Sequence, residues 1–531
     1  MRIVRKWLIL SHRYLGIALC LLLVMWFGSG IVMIYAGGMP ALTPEARRAH
    51  LPALDFTRVT LSAADAAARA GLDTPPSATL LPVQGRPAYR FGGRTPVTVF
   101  ADTGETMAPV PVAETRRIAS RFLGVPVSLL VDAGQLTTPD QWTLQLARRG
   151  GLQKFTVDDD AATEVYVNPR TAEVVLTTTR RDRTLAWIGV IPHWMYFSWL
   201  RTNQPVWYRT VVWTSGAACV LALLGLVLGL TQWRRTQPFR LSAAVPYAGW
   251  MRWHYITGAV FGVFALTWAF SGLLSMEPFE WTNASGLEVD GEAFTGGPIE
   301  LSQFTRGDAA AWSSVADGRP VKEVELTRIQ DQAYYVVHLD TPPRKLRAER
   351  LHQPYYITGR AERDRLLVAA DTMRVREEPF SVSSLMARLQ TALPGETVIE
   401  QTLLTEYDSY YYSRGRQTPL PVLRVKYADA AQTWIYVDPE MSRVLGSVPK
   451  LARVERWLYN GLHSLDFSFW YSRRPLWDIG MIVLLLGGLA SSAIGTFLGV
   501  RRIVRATGRT AAGLVADRAV TAGSAERASR A

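Results

Sequence analysis

The sequence predicts a membrane α-helical protein with four transmembrane helices, a tandem duplication and two large α+β domains outside the membrane. Three observations support this fold class: four long apolar segments, net positive charge confined to short flanking segments, and an internal repeat at constant spacing. Hydrophobic residues make up 48% of the 531 residues, yet mean hydropathy is only +0.06. A few very apolar segments are therefore diluted by ordinary soluble sequence, which excludes a disordered chain and a compact bundle confined to the membrane.

The four spans follow from length, because a helix needs about 20 apolar residues at about 1.5 Å rise per residue to cross a bilayer. The first apolar segment is longer than the apolar part of a signal peptide and no small-residue cleavage site follows it, so we interpret it as an uncleaved anchor. The predicted organisation is an N-terminus with the first span at 1–36, an exterior domain at 37–206, a span at 207–232, a loop at 233–253, a span at 254–276, an exterior domain at 277–476, a span at 477–500 and a disordered tail at 501–531.

Basic and acidic residues nearly cancel in the two exterior domains. Residues 37–206 contain 18 Lys and Arg against 15 Asp and Glu, and residues 277–476 contain 24 against 27. The formal net charge of +13 therefore lies in the N-terminus, the 233–253 loop and the tail. The positive-inside rule places these three segments in the cytoplasm and both long domains outside. Because the charge is confined to segments beside the lipid bilayer, the pI of about 9.8 does not indicate nucleic-acid binding.

Identical residues recur along the chain at constant spacing. Around the first and third spans the spacing is 242 residues, and around the second and fourth spans it is 270 residues. The first set is His12, Gly16, Trp26, Ser29 and Gly30, which match His254, Gly258, Trp268, Ser271 and Gly272. The second set is Trp187, His193, Phe197, Pro205, Trp207, Gly225 and Gly229, which match Trp457, His463, Phe467, Pro475, Trp477, Gly495 and Gly499. The repeat predicts two parallel halves related by an axis along the membrane normal.

The exterior domains have the local patterns of small α+β units. Residues 61–71 carry a serine cap, an alanine-rich body and a terminal glycine, which predicts a helix. Residues 88–92 and 97–101 predict a pair of strands. Residues 164–175 and 433–448 each predict two strands joined through a turn that contains proline.

Histidine marks the candidate site. Four of the seven histidines occupy matched repeat positions, and an imidazole in or beside a bilayer is costly and usually functional. His12 and His254 begin the first and third spans. Each is followed four residues later by a glycine on the same helical face, Gly16 or Gly258, which leaves room for a flat macrocycle.

A second pair of glycines, Gly30 and Gly272, lies 18 residues beyond these histidines. That spacing is about 27 Å along the same helical face, where we expect the remaining two matched histidines. Pairing between histidines at opposite faces of the membrane is disfavoured by this distance. The predicted ligand pairs are an inner pair, His12 and His254, and an outer pair, His193 and His463.

Other features have ordinary structural interpretations. Deep tryptophans at positions 26 and 268 can flank a porphyrin, whereas the other tryptophans near the span ends are typical of a membrane-interface belt. The acidic run at 158–160 is interpreted as solvated. Glycines assigned to helix packing are Gly225, Gly229, Gly495 and Gly499. Histidines assigned to surface or structural roles are His50, His338 and His352. Cys20 and Cys219 lie in apolar runs, which excludes a cysteine-based metal site.

The helix-and-hairpin units resemble PepSY domains, and the His-x-x-x-Gly and Trp-x-x-Ser-Gly segments of the first and third spans resemble PepSY-associated transmembrane helices. The stretches 457–467 and 474–477 fit the same family. The resemblance implies a bacterial inner-membrane protein with periplasmic domains. It also implies a ferric-siderophore reductase that holds haem b, two haems here, between histidines, with the four glycines 16, 30, 258 and 272 beside the cofactors.

Some relatives in this family are fused to flavin reductase domains, and such a domain is missing from this sequence. A separate cytoplasmic or membrane electron donor is therefore an implied partner, together with a periplasmic ferric siderophore. An exposed tyrosine and arginine cluster at 410–414 is one candidate docking place for a ferric complex.

A different class of function stays open, namely a PepSY membrane protein without redox activity that acts as a sensor or a protease regulator. In that case the four histidines are structural. Motifs for phosphate loops, His-Glu-x-x-His zinc sites and Cys-x-x-Cys sites are not found. Visible absorbance of the purified protein distinguishes the two functions, because only a haem protein is red.

Overall fold

The computed structural model describes residues 2–149, 151–234, 237, 241–282, 286–304, 307–340, 365–412 and 418–528. Within this part of the chain, four helices are long and apolar enough to cross a membrane, so the protein is a multi-pass membrane protein as predicted. These helices are Ile3–Ala36, Gln204–Gln232, Gly249–Leu274 and Leu476–Thr507. The chain forms two compact units. The helical unit is Met1–Gly38, Trp187–Phe279 and Trp457–Ala531, and the sheet unit is Met39–Ala186 and Glu280–Arg456.

The α-helices in chain order are α1 Arg2–Ala36, α2 Pro44–Ala49, α3 Ala63–Arg69, α4 Val112–Leu123, α5 Arg180–Ile188, α6 Val190–His193, α7 Ser198–Arg201, α8 Gln204–Gln232, α9 Leu241–Ala244, α10 Gly249–Leu274, α11 Gly291–Thr295, α12 Ala309–Val315, α13 Val382–Ala392, α14 Lys450–Arg456, α15 Leu462–Ser464, α16 Ser468–Tyr471 and α17 Leu476–Ala528. A π-helical turn, Trp457–Gly461, follows α14.

The strands are β1 Ala78–Val83, β2 Arg86–Phe91, β3 Val97–Phe100, β4 Leu130–Gln135, β5 Gln153–Val157, β6 Glu164–Asn168, β7 Glu173–Thr178, β8 Val321–Ile329, β9 Gln332–Leu339, β10 Arg365–Ala369, β11 Val398–Leu404, β12 Val422–Tyr427, β13 Trp434–Asp438 and β14 Arg443–Val448.

The helical unit is a bundle of α1, α8, α10 and α17, in which α10 contacts both α8 and α17 and α1 contacts the same two helices. Small residues let these helices approach closely. A Cβ atom on Gly488 of α17 would lie 2.7 Å from the Phe27 ring, and one on Gly487 would lie 2.4 Å from the Phe261 ring. Such close packing is what holds helices together where lipid removes the hydrophobic driving force.

Two boundaries differ from the sequence prediction. Residues 187–206 and 457–476 were assigned to the exterior domains, but they belong to the helical unit. The reason is that the short helices α6 and α15 pack on α1 and α10 through the histidines they carry. The tail beyond residue 500, predicted to be disordered, continues α17 to Ala528. This segment contains no proline and is rich in alanine and arginine, which have high helix propensity.

The sheet unit does not divide into one sheet for each predicted exterior domain. Its largest sheet has six strands in the order β10-β9-β8-β1-β2-β3, and β1 of the first long segment pairs antiparallel with β8 of the second. Its core contains Phe91, Val99, Trp312 and Tyr335, drawn from both segments. The two predicted domains therefore share this hydrophobic core, although each also has a core cluster of its own.

Two further sheets have the same design. They have the strand orders β4-β5-β6-β7 and β11-β12-β13-β14, and each has a register shift at a matched place, Tyr166/Val167 or Tyr436/Val437. Helix α4 packs on the first sheet and α13 on the second. The local sequence predictions for this unit are confirmed, since the helix predicted at 61–71 is α3 with a Ser62 and Asp65 capping box.

Candidate functional site

The inner pair of histidines comes together between α1 and α10. The ring centroids of His12 and His254 are 6.3 Å apart, with an angle of 41° between the ring planes. The 242-residue repeat predicted this pairing, and the bundle brings it about because α1 and α10 occupy equivalent places between α8 and α17.

Each ring of the inner pair is held by a backbone carbonyl of a neighbouring helix. His12 Nδ1 lies 3.2 Å from the Leu221 carbonyl oxygen, and His254 Nδ1 lies 3.1 Å from the Ser491 carbonyl oxygen. A carbonyl only accepts hydrogen bonds, so each Nδ1 carries the proton and donates it. Nε2 then has the lone pair that a metal ligand needs, and it has no hydrogen-bond partner within the described residues.

The contact depends on a glycine one helical turn beyond each accepting carbonyl. A Cβ atom on Gly225 would lie 2.9 Å from His12 Cε1, and one on Gly495 would lie 3.2 Å from His254 Cε1. A side chain at either position would push the imidazole away from the carbonyl. The sequence interpretation assigned both glycines to general helix packing and missed this role, although their matched positions in the repeat were a signal.

The outer pair, His193 on α6 and His463 on α15, lies beside the C-terminal parts of α1 and α10. The two ring centroids are 6.0 Å apart, and the ring planes are at 79° to each other. The predicted outer pair is therefore also brought together. Gly30 and Gly272 face these rings, because Cβ atoms there would lie 3.5 Å from His193 Cε1 and 3.9 Å from His463 Cε1.

Matched serines and a carbonyl orient the outer rings. Ser29 Oγ lies 3.1 Å from His193 Nδ1, and the Trp26 carbonyl oxygen lies 3.2 Å from the same nitrogen. Ser271 Oγ lies 2.9 Å from His463 Nδ1. Each serine hydroxyl donates to the carbonyl three residues earlier, at 3.1 Å, so its oxygen is left to accept from the imidazole. Nδ1 is therefore the protonated nitrogen in the outer pair as well.

Two tryptophans hold the segments that carry the outer histidines. Trp207 Nε1 donates to the Trp194 carbonyl at 3.0 Å, and Trp477 Nε1 donates to the Ser464 carbonyl at 2.9 Å. Each acceptor is the residue directly after an outer histidine. Sequence reasoning assigned both tryptophans to the membrane-interface belt and missed this second contact, which joins residues 13 apart in the chain.

Gly16 and Gly258 lie beside the inner pair, but they are less tightly packed. A Cβ atom on Gly16 would lie 3.7 Å from Cys20 Sγ, and one on Gly258 would lie 3.7 Å from Ser491 Oγ. Both distances are ordinary contacts, so neither glycine is required by a close approach of protein atoms. The expectation that they clear space for a macrocycle stays a prediction.

The donor set fits a haem. An imidazole nitrogen lies about 2 Å from a first-row metal ion and the ring centre about 1 Å further, so two imidazoles on opposite sides of one ion have centres about 6 Å apart. Both pairs have this separation. Within the described residues, no group of three or more His, Cys, Asp or Glu side chains could hold a metal ion by itself. Two imidazoles suffice where the cofactor brings four ligands of its own.

Four buried indole N–H groups have no acceptor in the described part of the chain. Two of them, Trp26 Nε1 and Trp268 Nε1, lie at matched positions one turn before Ser29 and Ser271. A buried donor without an acceptor costs about 1–3 kcal/mol, so such a pair is consistent with a polar group bound between the helices.

The remaining predicted residues lie outside this site. His50 caps α2 and its ring stacks on Phe122 with the centroids 4.3 Å apart, which confirms a structural role. His338 lies on β9 in the sheet unit. Tyr410 packs edge-on against Trp434, with the ring centroids 5.3 Å apart. His352 and residues 413–414 of the predicted tyrosine and arginine cluster lie outside the described residues.

The fold and the site define a multi-pass membrane protein whose helices bring two pairs of histidines together. The family model for the PepSY-associated TM region matches residues 9–314, which is more than half of the chain, so the protein belongs to that family. The matched region contains His12, His193 and His254, together with three of the four spanning helices. No curated protein matches this sequence.

Proposed function

We propose that this protein is a haem-dependent oxidoreductase of the bacterial inner membrane that transfers electrons from the cytoplasmic side to a periplasmic ferric siderophore. One observation carries the proposal. Two histidine pairs, with ring centroids 6.3 and 6.0 Å apart, have every Nδ1 engaged in a hydrogen bond, which is usual for histidines that ligate a metal through Nε2.

The proposed topology has both termini in the cytoplasm and the sheet unit in the periplasm. It rests on the confinement of net positive charge to the N-terminus, the 233–253 loop and the tail. A tandem duplication is part of the proposal. It is supported by equivalent residues that make equivalent contacts. The Leu221 and Ser491 carbonyls each accept a hydrogen bond from a matched histidine. Trp207 and Trp477 each donate to the carbonyl of the residue after a matched histidine.

A bound haem would supply reversible one-electron transfer at each histidine pair. The chain's contribution is to present neutral imidazoles through Nε2, to fix the ring orientations through Nδ1, and to exclude water with the packed helices. Residues 12 and 30 are about 27 Å apart along α1. Two sites with this spacing divide a crossing of about 30 Å into shorter steps, which a single site would not do.

The siderophore as substrate comes from the family resemblance. Hard oxygen ligands hold Fe(III) much more tightly than Fe(II), so a ferric siderophore that accepts one electron releases its iron and leaves the chelator intact. The electron comes from a separate donor on the cytoplasmic side or within the membrane.

The test is spectroscopic. The protein purified in detergent should be red, should contain two haem b per chain, and should become oxidised again when a ferric hydroxamate siderophore is added to the reduced form, with Fe(II) captured by a colorimetric chelator. A colourless protein would overturn the proposal and favour the sensor or protease-regulator function. A red protein that stays reduced with every ferric chelate but is oxidised by a quinone would refute the assignment of a ferric siderophore as the substrate.

A further inference from the structure

A cavity of about 360 Å³ lies in the sheet unit, apart from the histidine pairs. One wall is the face of the six-stranded sheet at β1, β8 and β9, and the others are α2 and β7. The lining includes the apolar side chains of Leu81, Val174 and Val175 together with several charged side chains. The volume is at the lower end of the range of about 300–1,000 Å³ that is usual for small-molecule sites.

Two of the arginines around the cavity are fully engaged by carboxylates. Arg47 contacts Glu173 at 2.9 Å and Glu323 at 2.5 Å. Arg90 contacts Glu173 at 2.6 Å and donates to the Thr171 carbonyl at 2.7 Å. These groups hold the walls together, and neither guanidinium is available to a ligand without breaking a short ion pair.

Arg48 is different, because both of its ion pairs are long. Its guanidinium lies 3.5 Å from Glu45 and 3.8 Å from Glu323, and its side chain is only 19% exposed. The three lining arginines, Arg47, Arg48 and Arg90, equal in number the three lining glutamates, and Arg48 is the arginine among them without a short ion pair. A largely buried cation that lines a cavity and has only long contacts can form a charge-assisted hydrogen bond to an anion.

His338 also lines the cavity, at the position of β9 that pairs with Glu323 of β8 and Arg365 of β10. Burial, together with the nearby positive charges of Arg48, Arg365 and Arg47, lowers the pKa of His338 to about 3. The imidazole is therefore neutral and sits in a positive potential. The neutral ring can donate one hydrogen bond through its N–H without carrying a charge of its own.

We propose that this cavity binds a small carboxylate ligand, which is held by the Arg48 guanidinium and the His338 N–H. Glu325 also lines the cavity and is exposed, so it disfavours ligands with several negative charges. The inference is independent of the haem function, because the cavity and all of its lining residues belong to the sheet unit.

The experiment is isothermal titration of the full-length protein in detergent with acetate, lactate and citrate, and with phosphate as a non-carboxylate anion. We expect saturable binding of acetate or lactate at one site, with weaker binding of citrate. Arg48→Gln should weaken binding at least tenfold. His338→Phe should also weaken binding, because it removes the N–H donor while it keeps an aromatic ring.

Arg58→Gln is the matched control, since Arg58 is a 45% exposed arginine of the same unit that pairs with Asp102 away from the cavity. It should leave binding unchanged. Arg48→Gln should keep the thermal midpoint measured without anions, because its ion pairs are long. The proposal is refuted if no carboxylate binds saturably or if phosphate binds more tightly than any carboxylate. It is also refuted if Arg48→Gln binds as well as the unchanged protein, or if Arg58→Gln loses as much binding as Arg48→Gln.

Discussion

At the scale of single residues, the helical unit places each imidazole by contacts within the same half of the chain. His12 of the first half docks on α8, and His254 of the second half docks on α17. Pairing then occurs between the halves, because the two rings face each other at 6.3 Å. Each ring is therefore oriented by contacts within its own half of the chain, and the other half supplies the ring with which it pairs.

Gly225→Ala should disturb the inner pair. The added methyl group would lie 2.9 Å from His12 Cε1, so the ring must move and its hydrogen bond to the Leu221 carbonyl is weakened. We expect a loss of about 1–3 kcal/mol in stability from overpacking, and altered spectra of one haem. Gly229→Ala is the control on the same helix, where the methyl group would meet only Ala259, at 4.0 Å. Equal effects of both variants would contradict the assigned role of Gly225.

Under the proposed ligation, His254→Ala should remove one haem equivalent and leave the other, because the outer pair keeps both histidines. The measurement is haem content per chain by pyridine haemochrome. His50→Ala, which alters a ring stacked on Phe122 in the sheet unit, should retain both haems. Full haem content in His254→Ala would show that this residue is not a ligand.

At the scale of elements, the outer histidines are carried on short helices before α8 and α17 and not on the spanning helices. Trp207 and Trp477 hold these carriers through a hydrogen bond to the next carbonyl. The π-helical turn Trp457–Gly461 precedes His463, whereas His193 follows an ordinary helix, α5. The two segments that carry the outer histidines therefore differ in backbone conformation, although the tryptophan hydrogen bonds that hold them match.

Trp207→Phe should loosen the outer pair. The change keeps an aromatic ring but removes the hydrogen bond to the Trp194 carbonyl, which costs about 0.5–1.5 kcal/mol. We expect a shifted midpoint potential for one haem in a redox titration, with the other unchanged. Trp213→Phe on the same helix is the control, because that ring is 76% exposed. A shift of the same size in the control would rule out positioning by Trp207.

At the scale of the whole molecule, the sheet unit joins the two long segments of the chain. Arg47 of the first segment bridges Glu173 of the same segment and Glu323 of the second. The β1 to β8 pairing makes the same connection through the backbone. The two long segments of this unit are therefore expected to unfold together.

Arg47→Gln should destabilise this unit by roughly 2–4 kcal/mol, less than for a fully buried pair because Arg47 is 23% exposed. The cause is the 6% exposed Glu323, which would keep only the long contact to Arg48. Thermal unfolding followed by circular dichroism measures the effect. Arg117→Gln, at an ion pair in which the arginine itself is 64% exposed, should cost less than about 1 kcal/mol. Equal midpoints for both variants would contradict a bridging role for Arg47.

The proposed topology predicts which positions a membrane-impermeant thiol reagent reaches in intact cells. In a background without Cys20 and Cys219, Asp102→Cys and Asp317→Cys should be labelled and Thr236→Cys should not. Thr236 lies outside the described residues, within the basic 233–253 loop. Permeabilised cells provide the control, in which all three positions should react. Labelling of Thr236→Cys in intact cells would reverse the proposed orientation.

The sequence by itself determined the spanning helices and the pairing of the four matched histidines. Apolar length is a local property, and the 242- and 270-residue spacings reveal equivalent positions without any structure. The local elements of the sheet unit, such as α3 and its serine cap, were also predictable, because caps and turns depend on neighbouring residues.

Only the tertiary structure decided what orients the histidines and how the long segments combine. The acceptors of His12 and His254 are backbone carbonyls. Every residue has a backbone carbonyl, so the sequence does not indicate which one accepts the hydrogen bond. The fit of Gly225 against His12 and the pairing of β1 with β8 join residues more than 200 positions apart. Such contacts arise from packing between elements, and residue order alone does not specify them.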